Sequence, residues 1–251
     1  MLMVFFISCS DNNENNFTKV RVVLTDAPGD YEEVNIDVQE FRVNYTDSEN
    51  DGWMTLDLDN PGVVNLLDLT GGVNLLLVDE DLPSGNLKQI RLVLGSNNTI
   101  VIDGNELPLN TPSAQQSGLK INVNYDLLAG VAYNITLDFD VDKSIVEAGN
   151  SGNYNLKPVI RATAEAQSGA ISGSVTPFDA QVLVSAYDGI GGDTIRAFAN
   201  STGDFLLQGL SQGIYFVDIQ PSVASGYQNV VVDNIQVYIG NVTDMGEIDI
   251  N

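Results

Sequence analysis

The sequence predicts an all-β protein composed of two β-sandwich domains in tandem. Short runs rich in valine, isoleucine and leucine recur between turn residues, and no segment combines an amphipathic helical period with helix caps. The chain has 251 residues, enough for one large domain or for two ordinary domains that each bury a core. We expect a leader and tether over residues 1–16, a first sandwich over 17–167 and a second over 168–251.

The run Val34–Tyr45 is a predicted strand whose apolar residues change phase at its centre. Those before Gln39 share one face of the strand, and those after Glu40 fall on the opposite face (Val34, Ile36 and Val38; Phe41, Val43 and Tyr45). One extra residue in the strand would return both groups to the same face, so the pattern predicts a β-bulge or a bend near Gln39-Glu40.

The other predicted strands of the first domain are separated by glycine, asparagine and aspartate turns, a spacing typical of a sandwich. Trp53–Leu58 is expected to pair with the preceding strand, and Asp103-Gly104-Asn105 marks a second hairpin. Val63–Leu69 and Val73–Val78 fit either a strand or a short helical turn. The remaining strands are Thr18–Thr25, Leu87–Leu94, Thr99–Ile102, Glu106–Leu109, Leu119–Tyr125, Tyr133–Val141 and Tyr154–Glu165.

The second domain follows a small, polar boundary at Ala164–Gly169. Apolar runs then recur at Ala180–Tyr187, Thr194–Asn200 and Gly213–Ile219. Gly173 and Gly213 flank predicted strands, where we expect turns that use the conformational freedom of glycine.

The charge and the missing residue types exclude several classes of function. Acidic residues outnumber basic ones 34 to 10, giving a net charge of −24, which repels nucleic acid and also keeps a secreted protein soluble. The chain has no histidine and one cysteine, which excludes Ser-His-Asp and Cys-His catalysis, imidazole ligation, structural zinc and disulfides within the chain. The catalytic chemistries that remain would use paired carboxylates, a lysine or tyrosine base, or an oxygen-ligated metal.

The N-terminus predicts export and lipid attachment. Residues 1–8 form an apolar run that is too short to span a bilayer and is similar to the core of a secretory signal. Phe6-Ile7-Ser8-Cys9 resembles a lipoprotein signal-peptidase box, which implies that Cys9 becomes the lipidated first residue. The polar segment 10–16 reads as a flexible tether and resembles the acidic export tag of surface lipoproteins of Bacteroidota-type bacteria.

The densest set of charges lies between Tyr133 and Arg161. Asp138, Asp140 and Asp142 alternate with apolar residues, so we expect the three carboxylates on one strand face, with neighbours roughly 6.6–7 Å apart. Carboxylates this close repel one another, so we expect positive charge nearby to compensate them. Two interpretations stay open: the carboxylates bind a metal such as calcium, or they pair with cations. The candidate cations are Lys143, Lys157, Arg161 and Arg91.

Other sites at acidic residues are less well supported by the sequence. Lys143 and Ala148 stand where an EF-hand loop needs glycine and glutamate, which rejects that motif. Two of the carboxylates have a spacing that suits a glycosidase, but alternate residues on any strand meet it. Asp26 and Asp30 could face a ligand, although Asp26–Asp30 reads first as a proline-containing turn.

Several motifs of the first domain resemble one bacterial and archaeal family, the domain of unknown function 4382. The resemblance covers about residues 19–165 and implies a secreted or lipid-anchored β-rich domain without a known activity. The motifs are Leu24–Pro28, the Trp53 strand, Asn65–Leu69, Gln89–Leu92, Gln116–Lys120, Asp138–Asp140, Lys143–Val146 and Leu156–Arg161.

The second domain resembles the carboxypeptidase regulatory-like domain, a small transthyretin-like sandwich. The similar motifs are Gly169-x-Ile171-x-Gly173, the strand Thr202–Phe205 and the hairpin Gly209–Tyr215. The resemblance implies a spacer or adhesion module and no catalysis.

The sequence therefore predicts a surface-exposed outer-membrane lipoprotein with a binding, adhesion or structural role and no catalytic activity. Expected partners are the membrane, through the lipid anchor, and an extracellular glycan or protein. No cofactor is expected unless calcium binds. Two alternatives stay open: a calcium- or glycan-binding accessory protein, and a carboxylate-dependent glycan hydrolase.

Overall fold

The computed structural model describes residues 16–27, 29–48, 50–111, 118–149, 152–178, 182–189 and 194–251. Within these ranges the chain is mostly β-strand, and no helix is long and apolar enough to cross a membrane. The protein is all-β, as predicted. It divides into two compact units: one comprises Thr18–Leu127 and Ala132–Gln167, and the other comprises Ser168–Asn251 with Leu128–Val131 and the start of the described chain up to Phe17.

The first unit contains thirteen of the strands found in the described residues. They are β1 (Phe17–Ala27), β2 (Glu33–Asn44), β3 (Trp53–Leu56), β4 (Gly62–Asn65), β5 (Leu75–Pro83), β6 (Gly85–Leu94), β7 (Thr99–Ile102), β8 (Asn105–Asn110), β9 (Leu119–Leu127), β10 (Tyr133–Asp140), β11 (Ile145–Glu147), β12 (Tyr154–Leu156) and β13 (Ile160–Ala166). A four-residue helix, α1 (Val141–Ser144), and a 3₁₀ turn at Leu66–Leu69 complete the unit.

Two sheets form this unit and enclose its core. One has the strand order β13-β10-β1-β5, and the other has the order β11-β12-β8-β7-β2-β6-β9, with β3 and β4 also paired to β2. β1 pairs with β10 in parallel, and the paired residues are more than a hundred positions apart in the chain. The largest side chains that the two sheets bury are Phe41 and Phe139.

The predicted bulge in β2 is confirmed. Pairing of β2 with β6 shifts register between Val38 and Glu40, and Gln39 is exposed at that point. The shift returns Phe41 and Val43 to the core face, where they are 0% and 1% exposed. The phase slip in the sequence therefore marks a single extra residue in the strand.

Both predicted hairpins are present. β3 pairs with β2 in antiparallel register, with Trp53 opposite Asn44. β7 and β8 are joined at Asp103 and Gly104, which have φ angles of 49° and 72°. These left-handed values suit the tight turns that match the twist of a hairpin.

The prediction of one strand over Tyr154–Glu165 is wrong. β12 belongs to the larger sheet and β13 to the smaller one, and Lys157-Pro158-Val159 connects them. Proline has no N–H to donate to a ladder, so Pro158 favours an interruption between the two strands. The chain changes sheets at this point.

The second unit is a sandwich of one three-stranded and one four-stranded sheet, with orders β17-β14-β20 and β16-β15-β18-β19. Its strands are β14 (Gly169–Thr176), β15 (Leu183–Tyr187), β16 (Ile195–Phe198), β17 (Asp204–Leu210), β18 (Gly213–Gln220), β19 (Val230–Val237) and β20 (Val242–Asp249). Its separate core includes Phe205, Val217 and Ile219.

No turn is found at Gly173, and Gly213 directly follows the connection between β17 and β18 without using the conformational freedom of glycine. Neither glycine has a positive φ; Gly173 lies inside β14 and Gly213 begins β18. A Cβ at position 173 would lie 2.7 Å from Cζ of Phe205 and 3.1 Å from the carbonyl oxygen of Gly246. Gly173 is therefore needed because neighbouring atoms approach its backbone closely.

Candidate functional site

The charged stretch singled out in the sequence lies at the end of β10 and in α1. β10 is flanked by β1 and β13, and its Leu137 and Phe139 are fully buried. The alternate residues Asp138 and Asp140 are half-buried on the opposite face of the strand. With Lys143 and Arg161 they line a shallow depression of about 350 Å³.

Asp138 forms an ion pair with Arg161. The two residues lie opposite each other in the antiparallel pairing of β10 with β13. Nη2 of Arg161 is 2.8 Å from Oδ2 of Asp138, and the arginine side chain is 76% exposed. A pair this exposed contributes little to stability, about 0–1 kcal/mol, but opposite charges directly across a ladder favour this register.

Asp140 ends β10 and starts α1. Its Oδ1 accepts a hydrogen bond from the backbone N–H of Lys143 at 3.1 Å, and its Oδ2 lies 2.5 Å from Nζ of Lys143. The hydrogen bonds and charge of Lys143 lower the pKa of Asp140 below its ordinary value, and the same side-chain contact raises the pKa of Lys143. Asp140 is thus an ionised helix cap.

Asp142 does not share the face of Asp138 and Asp140. It lies in α1, where the helical turn ends the period-two alternation, and it is exposed. Its charge is one of the causes, after burial, that raise the pKa of Tyr31. The expectation of three carboxylates on one strand face is therefore wrong for Asp142, because the strand stops one residue before Val141.

Among the described residues no three acidic or cysteine side chains are grouped so that they could hold a metal ion. Calcium binding by Asp138, Asp140 and Asp142 stays a prediction, and each of the first two already has a cation beside it.

The two remaining candidate cations lie elsewhere. Lys157 follows β12, and its backbone N–H donates to the carbonyl of Ser144 at 2.8 Å; its ammonium makes no ion pair with a described residue. Arg91 lies on β6 in the larger sheet, and its Cζ is 4.0 Å from the centre of the Trp53 ring. That distance is typical of a cation–π contact. Arg91 therefore belongs to a different surface from the β10 carboxylates.

Two residues that the sequence did not connect with the β10 carboxylates stabilise the backbone around the depression. Ser144 is fully buried, and its Oγ accepts from the N–H of Val159 at 2.8 Å, which fixes the connection between β12 and β13. Asp26 lies in β1 and not in a turn; it is 6% exposed, and its Oδ1 accepts from the N–H of Val141 at 3.3 Å. Only the parallel pairing of β1 with β10 brings Asp26 to α1, and the sequence carries no signal for that pairing.

This arrangement suits a structural role better than acid–base chemistry. A glycosidase needs one carboxylic acid that stays protonated at working pH, which requires a raised pKa. The pKa of Asp140 is shifted in the opposite direction. The lipid-attachment residue Cys9 and the preceding leader lie outside the described residues.

The first unit matches a known family. The family model described as "Domain of unknown function (DUF4382)" matches residues 17–158, which is more than half of the chain. The chain belongs to this family. The DUF4382 region includes Asp138, Asp140 and Lys143 but ends two residues before β13, so Arg161 lies outside it. Among curated proteins, none matches the chain in sequence.

Three solved structures illustrate how distant the structural relatives are. The Bacillus anthracis TIE protein is 10% identical with a TM-score of 0.25; the match covers 94% of this chain and 34% of that protein, so this chain spans about a third of its length. GBS52, the minor pilin of Streptococcus agalactiae, is 11% identical with a TM-score of 0.26, and the match covers 92% of this chain and 96% of that protein. BcpA, the major pilin subunit of Bacillus cereus, is 10% identical with a TM-score of 0.28, and the match covers 94% of this chain and 70% of that protein. Scores this low carry no inference about what this chain binds.

Proposed function

We propose that the chain is a surface-exposed outer-membrane lipoprotein with a binding, adhesion or structural role and no catalytic activity. Cys9 carries the lipid, residues 10–16 form the tether, and the two sandwiches stand outside the membrane. The second unit acts as a spacer or adhesion module of the carboxypeptidase regulatory-like type.

The observation that carries the proposal is the state of the β10 carboxylates. Asp138 is paired with Arg161 and Asp140 with Lys143, and these contacts join β10, α1 and β13. These ion pairs favour one arrangement of strands, and the lowered pKa of Asp140 makes that residue a poor candidate for a general acid. Exposed loops and surfaces then remain for binding a glycan or a protein.

The anchor is tested on the full-length chain expressed in a Bacteroidota host. Mass spectrometry of the membrane fraction should find a mature protein that begins at an acylated Cys9, and external protease should remove the sandwiches from intact cells. Cys9→Ser should abolish acylation and release the protein from membranes, because lipidation supplies the membrane affinity. An unacylated mature chain that retains residues 1–8 would refute the lipoprotein assignment.

The rival function is a carboxylate-dependent glycan hydrolase. If the chain were such an enzyme, the wild-type protein would hydrolyse some polysaccharide, and Asp138→Asn and Asp140→Asn would each lose this activity. We expect no hydrolysis by the wild-type protein on a panel of plant and microbial polysaccharides. Turnover that the two substitutions abolish would establish the rival.

A further inference from the structure

A second depression, on the outer face of the smaller sheet of the first unit, carries unused polar groups. It has a volume of about 540 Å³ and lies where β1, β5 and β10 adjoin. This volume is within the range of small-molecule sites. Its lining includes Lys19, Arg21, Asn74, Asn134 and Gln167.

The depression holds one positive charge without a counter-charge. Nζ of Lys19 lies 2.9 Å from Oδ1 of Asp79. This contact raises the pKa of Lys19, so the lysine stays charged and the carboxylate of Asp79 balances that charge. Arg21 is exposed, and its guanidinium has no hydrogen-bond or ion-pair partner among the described residues. A guanidinium presents a planar fork that matches a carboxylate.

Two amides stand beside this guanidinium and are also unused. Asn134 is directly opposite Arg21 in the parallel pairing of β1 with β10. Asn74 belongs to the loop before β5, which is held against β1 because Oγ1 of Thr25 lies 3.0 Å from the carbonyl of Leu69 and 3.2 Å from that of Val73. Within the described part of the chain, neither amide side chain has a hydrogen-bond partner. The loop thus places Asn74 before any ligand arrives.

These groups define the chemistry of a ligand. Amides both donate and accept hydrogen bonds, as sugar hydroxyls do, so they suit a polyhydroxylated ligand. Ala132 and the small exposed part of Val23 line the depression and give the C–H face of a sugar ring a limited apolar surface. Glu165 lies opposite Asn134 in the pairing of β10 with β13, on the side away from Arg21. Its negative charge repels an anion, so an anionic group of the ligand is favoured only beside Arg21.

We propose that this depression binds a saccharide unit that carries a carboxylate, such as a uronic acid, with Arg21 on the carboxylate and Asn74 and Asn134 on the hydroxyls. The proposal rests on the binding role proposed above and names its ligand class. The net charge of −24 disfavours polyanions of high charge density, so short-range contacts of the guanidinium and the amides must provide the affinity.

The test titrates the purified full-length chain with galacturonate and glucuronate trisaccharides, followed by calorimetry. The methyl esters of the same trisaccharides keep the hydroxyls and lose the charge. We expect saturable binding of the acids and binding of the esters weaker by about tenfold or more, because hydrogen bonds to charged groups are the strong ones. Arg21→Gln should reduce affinity for the acids to the level of the esters.

Arg196→Gln is the matched control, because it removes one exposed arginine from the second unit and should leave binding unchanged. Arg21→Lys keeps the charge without the fork, and we expect intermediate affinity. Absence of saturable binding by both acids, or equal affinity of wild type and Arg21→Gln, overturns the proposal. Acylation of Cys9 is measured separately, so failure of this site leaves the anchor test unaffected.

Discussion

At the scale of single residues, Asp140 is the side chain on which the end of β10 depends most. One oxygen caps the backbone of α1 and the other meets Nζ of Lys143. Its backbone carbonyl also accepts from Oγ of Ser144 at 2.5 Å. The sequence shows this residue as one of three equivalent acids, but the structure gives it a distinct role because the strand ends there.

The lowered pKa of Asp140 predicts a pH dependence of stability. A carboxyl group whose pKa is lower in the folded state adds stability above its unfolded pKa, near the ordinary value of 3.8, and this stability is lost as the pH falls through the folded value. Asp140→Asn should therefore be less stable than wild type at neutral pH. The difference should shrink as the pH falls below about 3.8. Urea unfolding of both proteins across the acid range measures it, and a difference that does not change with pH would contradict the ionised cap.

Gly173 offers a second prediction at this scale. Gly173→Ala should destabilise the second unit by about 1–3 kcal/mol, because the new Cβ meets the Phe205 ring and the backbone at Gly246. Gly213→Ala is the control: the nearest atom to its Cβ, in Tyr215, is 3.5 Å away, and its φ is not positive. Thermal unfolding followed by near-UV circular dichroism compares the two. Equal stabilities would mean that the close approach at Gly173 is unimportant.

At the scale of elements, the bulge in β2 shows that a phase slip in a sequence can locate an irregularity in a strand. The alternation on either side of Gln39 required one extra residue, and the structure has it at that point. The break at Pro158 was not predicted, although the missing N–H of this proline was visible in the sequence. Which sheet receives the next strand depends on contacts distant in sequence.

Deletions within β2 test the role of the bulge. Deleting Gln39 removes the extra residue and keeps Phe41 and Val43 on the core face. We expect a loss of only about 1 kcal/mol, since the deletion removes the hydrogen bond of Gln39 to Asp37.

Deleting Arg42 is the matched comparison, because it moves Val43 outward and turns Asn44 toward the core. The lost burial of one valine alone costs about 1.5–3 kcal/mol. Chemical unfolding ranks the two deletions, and a Gln39 deletion at least as damaging as the Arg42 deletion would contradict this account of the register.

At the scale of the whole molecule, the composition and the turn spacing predicted the all-β class because those signals are local. Both hairpins were predicted for the same reason. The depression beside Arg21 was not predicted, because the parallel pairing of β1 with β10 assembles it from distant segments. Arg21 and Asn134 are neighbours only through that pairing, and Arg91 was grouped with the β10 carboxylates because nothing local assigns it to the other sheet.

The central claim is that Asp138 and Asp140 are compensated by Arg161 and Lys143, from which we predict that calcium does not stabilise the fold at this site. Thermal unfolding of the full-length chain in millimolar calcium, after treatment with a chelator, tests it most directly. A chain with a charge of −24 gains stability from any cation by screening, so sodium chloride at equal ionic strength is the reference. We predict equal melting temperatures in the two salts.

Specific binding to the folded state would instead add about 2.7 kcal/mol at 100 times the dissociation constant. A higher melting temperature in calcium that Asp140→Asn abolishes, and that the exposed control Asp244→Asn in the second unit keeps, would contradict the account. It would make the end of β10 a calcium site.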